Sequence, residues 1–394
     1  MEFAFTDEQL MIRDTAQAFL AEVSTSEAIR AAMATEQGYD PALWQQVCRD
    51  LVWPALHIPA QYGGMGLGYV ELVAMLEQMG RYLFCSPFFS TVCLGVNALL
   101  LAGTDEQKKT WLPRITEGTT AALAHADALA GTAAGRWDNA TITAIAQPRG
   151  NGYLLNGDYR YVCDGASAEL LILAARAPGT QGDDGISLFV LPANHPGVER
   201  QLLPTLDQTR KQASIHLRNV QVGADARMGS AGNAGGILNL ILDLAAIALA
   251  AEQTGGAQQC LDMAVAYTKE RVQFGRSIAS FQAIKHKAAD MMLRVEVARS
   301  GVYYAACVAQ EALESGPLAG ELAEAASIAK SYCSDAYFKN AAECLQMHGG
   351  VGFTWEYDVH LHFKRAKASE HYLGNAAYHR EKLAQLLLDR EDMV

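Results

Sequence analysis

The sequence has little that would recruit a metal, a disulfide or a nucleic acid. Its eight cysteines lie between Cys48 and Cys344, no two form a CxxC pair, and no familiar zinc pattern of Cys and His is present. Asp and Glu number 43 against 31 Lys and Arg, and the formal net charge of −12 disfavours nucleic acid, which needs clustered cations. This composition predicts reduced thiols in a cytoplasmic protein without a metal site.

Segments that would direct the chain to a membrane are also lacking. The N-terminal MEFAFTDEQL has no basic region followed by an apolar stretch, so we expect no signal peptide. The longest apolar stretch, residues 237–251, is interrupted by Asn239 and Asp243 and is too short to span a bilayer. We expect no membrane contact.

The arrangement of helix and strand patterns predicts three parts. A helical N-terminal domain is predicted over residues 1–118, with Thr6 and Gln9 as a capping box. Residues 119–228 alternate or run apolar over strand lengths between turn residues, which predicts a central antiparallel, barrel-like β domain. Residues 229–394 read as a C-terminal four-helix bundle. The predicted fold class is α+β, mostly α. The sequence lacks a strand-GxGxxG-helix unit, which would indicate a doubly wound sheet.

The segment 237–270 is nearly apolar on all faces, so it must be buried on all sides. A single chain of 394 residues can bury such a helix, and so can an oligomer that packs several together. We favour the oligomer.

Residues 267–291 form the first stretch with candidate chemistry. Arg271 offers a planar, always-charged fork for a phosphate or an aromatic face. Phe274-Gly275 is predicted to end the helix and to let a flat ligand approach, and Gln282 offers both a donor and an acceptor. Composition alone fits better an ordinary helix-turn-helix with a surface arginine and a core phenylalanine.

Two further stretches carry candidate residues. Gly349, Gly350 and Gly352 follow a predicted helix, and glycine backbone at such a place can cradle a pyrophosphate or simply adopt positive φ. The segment 153–176 reads as a β-hairpin whose turn carries Tyr161, Cys163 and Asp164. Four histidines near the glycines match no zinc spacing: His348, His360, His362 and His371.

Taken together, these motifs resemble the acyl-CoA dehydrogenase family over essentially the full chain. The specific matches are Arg271-x-Gln273-Phe274-Gly275 with Phe281-Gln282, and Gln346-x-His348-Gly349-Gly350. The resemblance implies an acyl-CoA substrate, FAD held at a subunit contact of a tetramer, and an electron-transfer flavoprotein as acceptor. It implies that one chain reaches the FAD of its neighbour through Arg271, Phe274, Phe281, Gln282, Gln346, Gly349 and Gly350, while Tyr161 stacks on the flavin ring.

The same resemblance identifies three departures. Family members remove the substrate α-proton with a glutamate that lies either 27 residues after the Gln of the glycine motif or 26 residues before the Arg of the first motif. Those positions hold Leu373 and Ala245 here. The Thr-Glu-Pro and Gly-Ser-Asp stretches of the β domain are also absent, and His125, Ala126 and Asp127 stand near their expected place. The catalytic residues are therefore unknown.

Four interpretations remain open. We favour a partner subunit that completes the FAD site of a heteromeric dehydrogenase, in the β-oxidation of lipid or steroid side chains. The main alternative is a self-sufficient homo-oligomer whose base is Asp243, Glu252 or Glu370, although each fits a structural carboxylate better. The others are a relative with different flavin chemistry, such as nitroalkane oxidation or hydroxylation, and a scaffold without flavin.

Overall fold

The computed structural model describes residues 5–127 and 136–388, which fall into two compact units. One unit contains residues 5–30, 69–84 and 246–388. The other contains residues 31–68 and the described residues within 85–245. The three predicted domains are defined by the type of secondary structure, whereas these two units are defined by packing. The units therefore do not test the predicted domain boundaries, which stay a prediction.

Helices precede the sheet, as predicted. α1 begins after Thr6, whose Oγ1 accepts from Gln9 N at 3.3 Å while Gln9 Oε1 accepts from Thr6 N at 3.0 Å, which confirms the capping box. A π-helix, Phe89–Val96, runs directly into α5. The helices before the sheet are α1 Asp7–Val23, α2 Ser26–Ala34, α3 Pro41–Arg49, α4 Tyr69–Arg81, α5 Asn97–Ala102 and α6 Asp105–Thr116.

The central sheet is mostly antiparallel, in the order β6-β7-β3-β2-β4-β5-β8, with β1 paired to β4. Its strands are β1 Ala121–Ala124, β2 Ile145–Arg149, β3 Gly152–Cys163, β4 Leu170–Arg176, β5 Ile186–Pro192, β6 Val198–Leu202, β7 Gln212–Gly223 and β8 Arg227–Met228. β1 runs parallel to β4, and one residue pair joins β2 to β4 in the same sense, so the sheet is mixed where we predicted an antiparallel one. β1 reaches β4 from the preceding helices and has no short hairpin to force an antiparallel partner.

The hairpin predicted over 153–176 is wrong. β3 pairs with β2 and β7, whereas β4 pairs with β5 and β1, so the two strands are not neighbours. Tyr161 and Cys163 lie within β3, and only Asp164 lies in the turn that follows. A short turn between apolar strands cannot by itself reveal that another strand, β2, lies between them.

α7, Gly235–Glu270, is 36 residues long and extends well beyond the apolar stretch read from the sequence. By length and composition it could cross a membrane, with a mean hydropathy of 1.7 over 18 residues, but 72% of that window is buried inside the chain. This is the pattern of a core helix. Because most of this apolar segment is buried within one chain, its composition no longer requires an oligomer to bury it.

α4 and α7 approach closely at two glycines. A Cβ built on Gly255 would lie 1.7 Å from Glu77 O, and one built on Gly80 would lie 1.9 Å from Glu252 O. Neither contact leaves room for a methyl group, so the crossing depends on glycine in both helices.

The C-terminal helices are α8 Gln282–Leu313, α9 Leu322–His348, α10 Val359–His371 and α11 Ala376–Leu388. α8, α9 and α10 pack with the second part of α7 around a core that includes Cys260, Met291, Val295 and Tyr337, and α11 packs against α9. A short hairpin, β9 Val272–Gln273 and β10 Arg276–Ser277, separates α7 from α8, and a 3-10 turn, Gly349–Phe353, separates α9 from α10. Both junctions carry the candidate motifs.

Candidate cofactor-binding site

The first motif forms a two-residue hairpin that projects from the end of α7. Gln273 pairs with Arg276 across β9 and β10, and the two turn residues, Phe274 and Gly275, have φ of 55° and 76°. Positive φ at both positions is typical of a type I′ turn, which favours Asn-Gly. Phe274 therefore adopts a backbone conformation that its side chain disfavours, rather than simply ending the helix.

The hairpin presents aromatic surface and positive charge. Phe274 is 91% exposed, and its ring meets that of Phe281 edge to face at a centroid distance of 6.1 Å. The guanidinium of Arg276 lies 4.1 Å from the centre of the Phe281 ring. Sequence reasoning missed Arg276, although it lies five residues after Arg271 in the same motif; the attraction between its guanidinium and the Phe281 ring holds this cation on the hairpin.

Arg271 and Gln282 flank this hairpin. Arg271 N donates to Tyr267 O at 2.9 Å as α7 ends, and its exposed side chain has no ion pair or hydrogen bond within the described part of the chain. Phe281 lies at the N-cap of α8 and Gln282 is its exposed first residue. A cation and an amide are thus left available to a group outside this chain.

The glycine motif follows α9 directly. Gly349 has φ of 63°, and a Cβ built on either Gly349 or Gly350 would meet nothing within 4 Å. Gly352 differs, because its Cβ would lie 3.0 Å from Leu345 O, so that glycine serves packing. Gln346 is exposed on the last turn of α9. Open space above bare backbone is what a cradle for a pyrophosphate requires.

The structure brings the two motifs together through one aromatic contact. The ring of Tyr267, in the last turn of α7, stacks on His348 at 4.3 Å with an interplanar angle of 22°. His348 Nδ1 hydrogen-bonds with Cys344 O at 2.8 Å. Burial opposes its charged form, but the bonds to Cys344 prevail and raise the pKa of His348. His348 therefore has a packing role between the motifs.

Packing contacts also account for two of the other histidines near the glycines. His362 Nδ1 and Tyr337 Oη lie 2.9 Å apart, and His360 meets the Trp355 ring edge to face at 4.6 Å. Within residues 5–127 and 136–388, no three His, Cys, Asp or Glu side chains are grouped so that they could hold a metal ion.

Neither of the two positions expected for a base carries an acid. Leu373 is 3% exposed and Ala245 is fully buried. Of the nearby carboxylates, Glu370 pairs with Lys367, whose Nζ lies 2.9 Å from its Oε2. Glu252 and Asp243 are buried, and neither is without a partner in the chain. These contacts favour structural roles for all three.

Tyr161 belongs to the other unit, where it lies at an irregularity in β3. The β3–β7 register shifts between Tyr159 and Val162, Tyr161 has φ of 63°, and its side chain is 39% exposed. Nearby, Arg160 N donates to Ala126 O at 3.0 Å. The bulge turns Tyr161 outward, which leaves an aromatic face available for stacking.

His125, also in this unit, was noted in the sequence only by its position. It is 4% exposed, and its Nε2 has no hydrogen-bond partner among the described residues. Burial lowers the pKa of His125 to about 4, so its imidazole is neutral. Such a group is a poor base at neutral pH.

The residues present fit the nucleotide half of an FAD molecule. The free guanidinium of Arg271, the exposed ring of Phe274, the amide of Gln282 and the open backbone of Gly349 and Gly350 have the chemistry that a pyrophosphate and an adenosine require. Their role in binding FAD stays a prediction.

Comparison with known proteins identifies the family. Residues 6–119 match the acyl-CoA dehydrogenase N-terminal domain, and residues 236–388 match the acyl-CoA dehydrogenase C-terminal domain. The acyl-CoA dehydrogenase IpdE2 of Mycolicibacterium smegmatis is 32% identical over 381 residues, covering 97% of this chain and 98% of that protein. The chain therefore belongs to the acyl-CoA dehydrogenase family of oxidoreductases.

Solved structures agree with this assignment. The butyryl-CoA dehydrogenase of Megasphaera elsdenii is similar with a TM-score of 0.87 at 29% identity, covering 98% of this chain and 100% of that chain. A variant of the Tcur3481-Tcur3483 steroid ACAD has a TM-score of 0.84 at 28% identity, covering 97% of this chain and 98% of that chain. The predicted family and fold class are confirmed.

Proposed function

We propose that this chain takes part in the FAD-dependent α,β-dehydrogenation of an acyl-CoA thioester as the partner subunit that completes the FAD site of a heteromeric enzyme. The observation that carries the proposal is a contrast within the chain. Most of the residues predicted to reach a neighbour's cofactor are exposed, and the side chain of Arg271 has no ion pair or hydrogen bond among the described residues, whereas both positions predicted for the base hold apolar side chains.

The reaction needs both a bound cofactor and a base, and we assign these to different subunits. FAD, when bound, accepts the hydride that leaves the β-carbon of the acyl group. The α-proton must go to a base in a desolvated pocket, and neither Leu373 nor Ala245 can accept it. This chain would contribute Arg271 and the backbone of Gly349 and Gly350 to the phosphates, and Phe274 and Gln282 to the nucleoside. The base would come from a related subunit.

Apolar surface on α8 supports contact with another chain. α8 exposes Met292 by 57%, Leu293 by 63% and Val297 by 42%. A groove of about 580 Å³ between α7 and α8 lies beside them, lined by Leu261 and Val265 among others. Contiguous exposed apolar surface of this kind is typical of protein interfaces.

The name of one similar protein supports a proposal for the substrate class. One similar protein is named as a steroid ACAD and carries two gene-product names. We infer a bulky acyl group of the lipid or steroid side-chain type, processed by β-oxidation in the cytoplasm within a tetramer. An electron-transfer flavoprotein is the electron acceptor that the family resemblance implies.

The test is to count flavins per chain. The chain is purified alone and, separately, with the product of a neighbouring related gene, and FAD and acyl-CoA-dependent reduction of a dye are measured. We expect little FAD and no turnover from the chain alone, and both from the complex. Stoichiometric FAD with turnover from the single chain would reject the partner role in favour of a self-sufficient enzyme.

A substitution then tests the residues. We expect Arg271→Ala to lower FAD retention of the complex by at least about tenfold, because a charge-assisted hydrogen bond to a phosphate contributes roughly 1.5–3 kcal/mol. Arg218→Ala is a suitable control, since Arg218 is an exposed arginine paired with Asp158 on the sheet. Unchanged FAD content in Arg271→Ala would show that Arg271 has no cofactor role.

A further inference from the structure

A lysine is buried in the C-terminal helices without a carboxylate partner. Lys330, in the first half of α9, is 0% exposed, and it forms no ion pair within the described residues. Its Nζ donates to four oxygens: Ser334 Oγ at 2.9 Å, Ser369 O at 3.0 Å, Glu370 O at 3.2 Å and Gly374 O at 2.9 Å. Three of these acceptors are backbone carbonyls at the end of α10 and in the turn that follows.

These carbonyls are the groups that a helix end leaves unsatisfied. α10 ends at His371, so the oxygens of Ser369 and Glu370 have no later amide of the same helix to accept from. The carbonyl end of a helix carries partial negative charge, which compensates a buried ammonium. Lys330 thus caps α10 from a neighbouring helix.

The turn after α10 has a backbone that needs such support. Leu373 and Gly374 have φ of 59° and 99°, and leucine disfavours this region. The two carbonyls are held by different helices: Leu373 O accepts from His379 Nε2 of α11 at 2.9 Å, and Gly374 O accepts from Lys330 of α9.

We propose that Lys330 is a positioning residue that fixes the backbone of the Leu373–Gly374 turn and thereby the direction of the side chain at position 373. The fixing of the turn does not depend on the proposed function.

The titratable groups around Lys330 come from three helices. Cys333 and Asp335 lie on α9, Glu370 lies on α10, and His379 lies on α11. Asp335 and Glu370 have their own partners, Arg380 and Lys367. Burial lowers the pKa of His379 to about 3, with the charge of Lys330 adding to the effect, so His379 stays neutral.

The number of donors on Lys330 depends on its protonation. Burial lowers the pKa of Lys330 to about 7. The ammonium has three N–H groups for its four acceptors, and the neutral amine has two, so deprotonation releases at least one acceptor. A role in positioning therefore has a pH signature that simple packing of the lysine stem lacks.

The test is hydrogen exchange of the turn in Lys330→Met. We expect the amides of residues 373–375 to exchange about tenfold faster or more, while the other helices keep their protection, because the carbonyls of Ser369, Glu370 and Gly374 lose their charged donor. Lys287→Met is the control, since Lys287 pairs with Glu343 on the surface of the same unit. Unchanged exchange at 373–375, or an equal increase along all helices, would overturn the proposal.

The parent chain gives a second test if Lys330→Met does not fold. Exchange at residues 373–375, corrected for its intrinsic pH dependence, should accelerate as pH rises through about 7. An exchange rate that stays constant between about pH 6 and about pH 8.5, a range that brackets this pKa, would overturn the proposal. Both tests use exchange, so their failure is distinguishable from a failure of the flavin count.

Discussion

Phe274 is expected to serve ligand binding at the expense of stability, and Phe274→Asn tests this. Phe274 occupies the first central position of a type I′ turn at φ 55°, a conformation that costs a non-glycine residue roughly 1–2 kcal/mol. Asparagine tolerates this region several-fold better, and Asn-Gly is the preferred pair for the turn. The substitution should therefore relieve most of the backbone cost.

The stabilising contacts that Phe274→Asn removes are weak. With Phe274 91% exposed, less than a tenth of its side chain is buried, which contributes only about 0.2–0.3 kcal/mol. The edge-to-face contact with Phe281 adds about 0.5 kcal/mol at most for an exposed pair. The net change is an increase of about 0.5–1 kcal/mol in the free energy of unfolding.

The assay combines urea unfolding of the isolated chain with FAD retention of the complex. We expect the unfolding midpoint of Phe274→Asn to equal or exceed that of the parent, while FAD retention falls. Leu206→Asn is the control, because Leu206 is 59% exposed and lies in the other unit. A loss of more than about 1 kcal/mol in Phe274→Asn would refute the reasoning, since it would mean that the phenylalanine packs within the chain. Unchanged FAD retention would remove Phe274 from the cofactor site.

Three further predictions follow from buried contacts. Gly255→Ala should lower the free energy of unfolding by about 3 kcal/mol or more, because its Cβ would overlap Glu77 O. The control Gly236→Ala, whose Cβ has no neighbour within 4 Å, should change the free energy of unfolding by less than about 1 kcal/mol. Equal melting temperatures for the two variants would contradict the close approach of α4 and α7. Leu373→Glu should restore no dye reduction in the chain alone, because the flavin-ring half of the site is also altered; turnover would show that the carboxylate was the sole missing group. The contribution of Lys330 to the free energy of unfolding should rise as pH increases from about 7 toward the pKa of lysine in the unfolded chain. In this range the unfolded chain holds a proton on Lys330 that the folded chain has released. Thermal unfolding of the parent and of Lys330→Met across this range checks the sign.

The sequence predicted best where a pattern is local. The capping box of Thr6 and Gln9, the helical character of α7 and the positive φ expected of the glycine motif depend on neighbours a few residues apart. It failed for β3 and β4, because the order of strands depends on contacts between segments distant in sequence. It also missed Arg276, since a cation over Phe281 is visible only after the hairpin folds back.

The candidate site shows the same limit. The sequence identified the residues of both motifs, but it did not show that Tyr267 and His348 stack and so join them. Nor did it distinguish Gly349, which faces open space, from Gly352, which lies against Leu345. Burial and contact are properties of packing, and a list of residue types does not contain them.

The sequence by itself determined the family, the order of helices and strands, and the loss of a carboxylate at positions 245 and 373, because each is a matter of residue identity and short spacing. Only the tertiary structure decided that Phe274 stands in solvent at a strained turn, that α7 is buried within one chain, and that Lys330 holds the turn at Leu373. The physical reason is that exposure, strain and the pairing of a buried charge arise between segments far apart in the chain, after folding has brought them together.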